Sequence, residues 1–222
     1  MTKLDNTKNL IIIGAGGFAR EVYLLLKKAN VFLNNVKVNY KLKGFLEGNV
    51  SLPKEQHDLL PLPLLGDIEN YIPEEDDVFI CAIGNPKVRK IVCSIADTKN
   101  FQFVIVASSH SHISEIDKIG EGSVFCAYTL ISSNVRVGKH VIVNTFSGIG
   151  HDSVVGDYTT ISSYCDITGN VQVGNGTYWG SGSRAIPHSK IYDNATVGAG
   201  SVVIRKVKAN TTVFGVPAVE IL

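Results

Sequence analysis

"SGIGHDSVVGDYTTISSYCDITGNVQVGNG", residues 147–176, carries an apolar residue at every sixth position: Ile149, Val155, Ile161, Ile167 and Val173. The spacing runs back to Ile113 and forward to Val203 without a register break, and Ala185 is its only small member. Four residues beyond each apolar position lies a small or β-branched residue, here Ser153, Thr159, Cys165, Val171 and Thr177; Asp117 is the exception. A helix repeats at 3.6 residues and an ordinary strand at 2. A period of six predicts a β-solenoid, in which each unit is one short strand and a turn. The wide residue points inward and the small one fits beside it. Glycine often follows the apolar position, as at Gly120, Gly138, Gly150, Gly156, Gly174, Gly180 and Gly198, and reads as the residue that permits a tight corner. Three units close one triangular coil of about 18 residues, which gives the segment about five coils.

Residues 1–107 follow another pattern. "NLIIIGAGGFAREVYLLLKKAN" reads as a short strand, a glycine-rich turn and an amphipathic helix with Phe18, Val22, Leu25 and Ala29 on one face. "KLKGFLEGN" reads as a strand ending at Glu47, "DDVFICAIGNPKVRKIVCSI" as strand, turn and helix, and "FQFVIVAS" as a strand. "SLPKEQHDLLPLPLLGD", with three prolines, reads as a loop. Alternating elements at this spacing predict an α/β domain with a small parallel βαβ sheet over 1–107, followed by the solenoid over 108–222.

Composition narrows the function classes. The net charge of +1, with both signs mixed along the chain, offers no concentrated basic face for nucleic acid. No segment approaches the ~20 apolar residues of a membrane helix, and the apolar run before Gly14 is too short for a signal peptide. Cys81, Cys93, Cys126 and Cys165 form no CxxC pair and fit reduced thiols in a cytoplasmic protein. No metal is expected, and His110, His112, His140 and His188 read as surface or loop residues.

"GAGGFA", Gly14–Ala19, satisfies G-x-G-x-x-A between a strand and a helix, where bare N–H groups bind phosphate. An NAD-dependent oxidoreductase is one reading, and a tight turn without ligand is another. A complete dinucleotide fold needs two such halves, so a mononucleotide or nucleotide-sugar site suits this domain better, with Gly14, Gly16, Gly17 and Phe18 as its candidates. Glu47 lies where an acidic group meets a base or ribose. Asn85, with Arg89 one helical turn on, is placed to face a ligand; Arg89 and Lys90 equally suit a solvated face.

The order "GAGGFAREV", "GFLEGN", "AIGNPKVRK", then hexapeptide repeats carrying "IGHDSVVGDY" and a closing "GVPA", resembles the sugar acetyltransferases of the NeuD/PglD type. The resemblance covers nearly the whole chain. It implies a left-handed parallel β-helix, a homotrimer, acetyl-CoA as donor, and a nucleotide-linked or related sugar as acceptor in bacterial surface-glycan biosynthesis. It makes His151 the general base with Asp152 beside it, and maps the asparagine of the preceding hexapeptide onto Asn144. Many members that acetylate an amino sugar have histidine where this chain has Phe18, so O-acetylation stays open beside N-acetylation. Acetyl transfer needs a nucleophile stripped of its proton, and imidazole suits that role. Asp152 would hold the tautomer. Gly169, one coil beyond His151, would offer its N–H to the oxyanion. The pantetheine arm would run near Gly180, Gly198 and Ala199, while Arg205, Lys206 and Lys208 suit either the CoA phosphates or an exposed rim. "GVPA", with Pro217, would turn back over the adenine. A non-catalytic trimeric scaffold remains a third class, which has no need of a His–Asp pair.

Overall fold

The structure, a computed structural model, describes residues 7–48 and 53–221. The described N-terminal elements are β1 (Lys8–Ile13), α1 (Gly17–Leu26), β2 (Ala29–Leu33), β3 (Val36–Lys37), β4 (Tyr40–Glu47), α2 (Lys54–His57), β5 (Leu64–Asp67), β6 (Asp77–Cys81), α3 (Pro86–Thr98) and β7 (Ile105–Ser108). Parallel strands in the order β5-β4-β1-β6 form one sheet. The proline-rich segment expected as a loop thus supplies α2 and the edge strand β5. Asn49 of "GFLEGN", and Ser51 and Leu52 of that segment, lie outside the described residues. Helix α1 buries Ala19, Val22 and Leu26; Phe18 and Leu25 are only partly covered, and Ala29 already belongs to β2. Strand β7 does not join the parallel sheet. It pairs with β2 on one side and with Val124–Phe125 on the other, so it leads directly into the coils.

The rest of the chain is a left-handed parallel β-helix of two-residue rungs on three faces. The first face holds Val124–Phe125, Ile142–Val143, Thr160–Ile161, Tyr178–Trp179, Thr196–Val197 and Thr212–Phe214; the second runs from His112–Ile113 to Val202–Val203, and the third from Arg136–Val137 to Lys206–Val207. The residues at the six-residue spacing fill the interior, with Phe125, Ile161, Ile167 and Trp179 fully buried. Burying one such side chain stabilises by about 1.5–3 kcal/mol. Ile191 pairs with Val207 and Val197 with Val213, so the last coil is two residues shorter than those before it. Val207 is therefore an inward strand residue, not the small residue of a regular unit.

The corners correct the reading of the glycines. The left-handed residues recur every six positions, but three places after the inward residue: Asn134, His140, Phe146, Asp152, Tyr158, Tyr164 and Asn170 have φ between 54° and 61°. Asparagine, aspartate and histidine tolerate this region; an aromatic residue there is an outlier. Stacking offsets the strain, with ring centroids 5.0 Å apart for both Tyr128–Phe146 and Phe146–Tyr164. The glycines that follow the inward residue answer to close approach instead. A Cβ at Gly150 would sit 2.6 Å from Gly169 N, and one at Gly156 2.6 Å from Asn175 N.

The N-terminal domain rests on the first rungs of the first face. Val124, Cys126 and Ile142 point out of the helix into the same core as α1 and one side of the parallel sheet, while α3 covers the other side. Beyond Thr160 the face is open.

Candidate active site

Two cavities meet where the domains join. The smaller, about 290 Å³, lies over Gly14–Phe18, Gly48, Ala82–Gly84 and Val88, at the C-terminal ends of β1, β4 and β6. Gly14 has φ 112°, and a Cβ there would stand 3.0 Å from Ala82 O, so this position requires glycine. Gly16 caps α1 in an extended conformation (φ −86°). Beside the turn, Arg20 Nη1 is buried with no hydrogen-bond partner, and its Nη2 would be 3.9 Å from a Gly17 Cβ.

The larger cavity, about 790 Å³, is a groove along the first face. The N-terminal domain contributes Phe18, Glu21 and Gly84–Lys87; the coils contribute Asn144, Thr160, Ser162, Tyr178, Asn194 and Thr196, continuing to Thr212. Its walls are mainly hydroxyls and amides, with Glu21 and Lys87 as the charged groups. Phe18 and Gly84 line both cavities.

The sequence-predicted acceptor residues divide. Asn85 lines the groove, and its Oδ1 accepts from Lys87 N (3.0 Å) and Val88 N (3.2 Å) as the cap of α3. Glu47 Oε1 is 2.7 Å from His57 Nε2. Arg89 faces neither ligand space nor solvent. Its side chain is fully buried and donates only to protein oxygens, so the expectation of a ligand-facing arginine is corrected. Burial pulls its pKa down to about 10, which leaves it cationic.

His140, expected at the surface, is also buried. Its ring stacks on Tyr158 at 5.1 Å, meets Phe103 edge-on at 4.5 Å, and has Cys93 Sγ 3.5 Å from Nδ1. Burial, with Arg89 and Lys139 nearby, pushes it down to about 3, so it is neutral. All four cysteines are free and buried.

His151 stands on the corner between the second and third faces, exposed. Its Nδ1 is 2.7 Å from Asp152 Oδ2. Asn134, one coil earlier, donates from Nδ2 to Asp152 Oδ1 at 2.7 Å, and this bond, followed by that of His151, holds the Asp152 carboxyl below the usual carboxylate range. Asn134 escaped the sequence reading, although the coil spacing from Asp152 points to it. On the other side of the imidazole lies Gly169, where a Cβ would be 2.6 Å from Nε2. The Gly169 N–H has no hydrogen-bond partner among the described residues. At the corner between the third and first faces, the corresponding amides of Lys139, Asp157 and Asn175 are each capped at 2.8 Å by a side chain of the next coil. Here that next-coil residue is Pro187, whose side chain has no oxygen to accept the bond.

His151, Asp152 and Gly169 therefore come together, whereas Asn144 lies away from them in the groove. Gly180 and Gly198 have packing reasons of their own: a Cβ at Gly180 would stand 2.8 Å from Ala199 Cα, and one at Gly198 would overlap the Phe214 ring. Arg205 and Lys206 are exposed on the last coil. Gly215–Ala218 turns the chain back into an antiparallel strand, with Ala218 N donating to Val202 O; Pro217 lies in that turn. Among the described residues no group of three or more His, Cys, Asp or Glu gathers as a metal site.

Residues 9–96 match the family model of the PglD N-terminal domain. A GDP-perosamine N-acetyltransferase of Escherichia coli O157:H7 is 27% identical over 214 residues, 92% of this chain and 81% of the relative. The N-terminal part is thus similar to the PglD N-terminal domain, and the chain as a whole resembles sugar N-acetyltransferases. The chain is also similar to PerB from Caulobacter crescentus, solved in complex with CoA and GDP-perosamine, at 25% identity and a TM-score of 0.80 over 96% of each chain. WeeI from Acinetobacter baumannii AYE is 26% identical with a TM-score of 0.75, over 97% of this chain and 100% of its own. No described helix of the chain is long and apolar enough to cross a membrane.

Proposed function

We propose that this acetyltransferase moves the acetyl group of acetyl-CoA onto an amino group of a nucleotide-linked sugar, in the cytoplasm, in bacterial surface-glycan biosynthesis. Residues 1–107 hold the acceptor and residues 108–222 carry the transfer chemistry. The observation that carries the reading is the uncapped Gly169 N–H beside the Nε2 edge of an imidazole whose Nδ1 is held by a carboxylate.

His151 Nε2 takes the acceptor's proton as the nitrogen attacks the thioester carbon. Asp152, anchored by Asn134, fixes the tautomer with the Nδ1 proton on its own side and supports the imidazolium. Gly169 N–H donates to the oxyanion of the tetrahedral intermediate. The glycine turn, with Arg20 alongside, meets the acceptor phosphates. The acceptor sugar extends from there into the groove beside Glu21, whose carboxylate suits an amine more than a hydroxyl. The donor's pantetheine arm passes along the later coils past Gly180, Gly198 and Ala199, toward Arg205 and Lys206.

In one chain His151 is on the corner opposite the first face, and the groove is on that face. A homotrimer, in which the His151 corner of one protomer meets the groove of its neighbour, completes the site and covers exposed coil faces. Incubation with acetyl-CoA and a panel of UDP-, GDP-, dTDP- and CMP-linked amino sugars, each beside its hydroxyl counterpart, tests the reading by release of free thiol. Thiol release with the amino sugars supports it. Release with the hydroxyl sugars alone overturns the amine assignment, and release with none overturns the function.

A further inference from the structure

Arg89 is a fully buried cation that makes no salt bridge among the described residues. Its guanidinium spans the junction of the two domains. Nη1 donates to Ile83 O (2.5 Å) and Gly84 O (3.1 Å) in the loop before α3. Nε donates to His140 O (2.9 Å), and Nη2 to Tyr158 O (2.7 Å), Thr159 O (3.2 Å) and Thr160 Oγ1 (2.8 Å) on the coils. Thr160 Oγ1 in turn donates to Gly84 O at 2.7 Å. The Gly84 carbonyl is therefore tied twice, once by each partner, just where Gly84–Lys87 enters the groove.

Burying an unpaired charge is a poor way to gain stability, since apolar groups of similar volume commonly do as well or better. What a planar five-donor fork supplies is direction: it fixes several acceptors in one arrangement. We propose that Arg89, acting with Thr160, is a positioning residue that locks the Gly84–Lys87 loop onto the β-helix and so sets the acceptor groove in register with the transfer chemistry. This rests on the reading of that groove as the acceptor site. Arg89 contacts no substrate; it acts through the loop.

The test is a steady-state comparison of Arg89→Lys, Thr160→Val, Thr160→Ser and the Arg89→Lys/Thr160→Val double variant. Lysine keeps the charge but cannot reach the six oxygens in one plane. Thr160→Val is nearly isosteric and leaves Arg89 its five carbonyl partners, so it decides the question should Arg89→Lys fail to fold. The expected result is an acceptor KM raised by about 10-fold or more in Arg89→Lys and about 3–10-fold in Thr160→Val, the scale of one or two lost hydrogen bonds. The acetyl-CoA KM and the sedimentation mass should stay as in the wild type, Thr160→Ser should recover the wild-type acceptor KM, and the double variant should cost no more than Arg89→Lys alone. A folded variant with a wild-type acceptor KM, or both KM values rising together, overturns the clamp while leaving the acetyltransferase reading intact. Wild-type enzyme that releases no thiol with any acceptor overturns both.

Discussion

The His151 imidazole is stacked against the backbone of Gly169 in the next coil, so closely that a Cβ on the glycine would sit 2.6 Å from Nε2. Real Cβ contacts do not reach that distance, and the obstacle is a ring held at its other nitrogen by Asp152. Gly169→Ala should therefore displace the imidazole while leaving the interior, formed by Ile167 and Val171, untouched. We expect kcat to fall by about 10–10³-fold, the worth of a disturbed base together with a masked oxyanion donor, with little change in melting temperature. A folded variant with wild-type turnover would show that Gly169 is a packing glycine like Gly150.

The chain Asn134–Asp152–His151 predicts a graded series. His151→Ala should lower kcat by about 10²–10⁴-fold, the usual worth of a positioned general base. Asp152→Asn should cost less, because the imidazole stays in place, and Asn134→Ala less again, because it acts only by anchoring Asp152. These side chains are on the exposed corner, so assembly and acetyl-CoA binding should survive in each. Rates from stopped thiol assays, ranked in any other order, contradict the assigned roles.

The fold was largely legible because its period was. One inward residue every six forces the triangular coil whatever the corner residues are, and the run from Ile113 to Val203 has no break. The corners were not legible in the same way. Glycine after the inward residue marks close approach of the next coil, while the left-handed positions two places later accept Tyr, Phe, His and Asp because stacking and side-chain hydrogen bonds offset the strain. The His151–Asp152 pair was visible as two adjacent letters. Asn134 becomes visible only when residues one coil apart are compared. Arg89 could not be placed from sequence, since a cation before "KIVCSI" on an amphipathic helix reads as ligand-facing or solvated, and its burial is explained by acceptors of its own loop together with those of a coil corner far along the chain.

His140 predicts how stability depends on pH. Its pKa is lowered to about 3 in the folded protein, from 6.5 for the free side chain, chiefly by burial. Between those values the unfolded chain binds a proton that the folded one refuses. The stabilisation is complete above about pH 6.5 and is lost as pH falls toward 3, at up to about 1.4 kcal/mol per pH unit. His140→Phe should flatten that slope. The neighbouring corners already hold Phe146 and Tyr158 at φ 60° and 58°, and the carbonyl that Arg89 uses is kept. Urea midpoints measured from pH 7 to 4 check it: equal slopes in wild type and variant would assign the acid sensitivity to other groups.

The placement of His151 and the groove on different parts of one β-helix leads to the last prediction. His151 belongs to the corner between the second and third faces, and Asn144, Thr160 and Ser162 line the groove on the first. If the site is completed across a protomer boundary, two inactive chains can repair each other. One carries His151→Ala with an intact groove. The other carries Gly14→Val, a change barred by the positive φ and by Ala82 O, which disrupts the smaller cavity that opens onto its own groove and keeps His151. Each homotrimer should be inactive. When the two are unfolded and refolded together in equal amounts, a boundary has one half chance of an intact groove on one side and one half chance of an intact histidine on the other. About one quarter of wild-type turnover should therefore return. Catalysis confined to single chains predicts no recovery at any mixing ratio. Sedimentation of the mixture supplies the control, because recovery requires trimers and a monomer at micromolar concentration leaves no boundary to share.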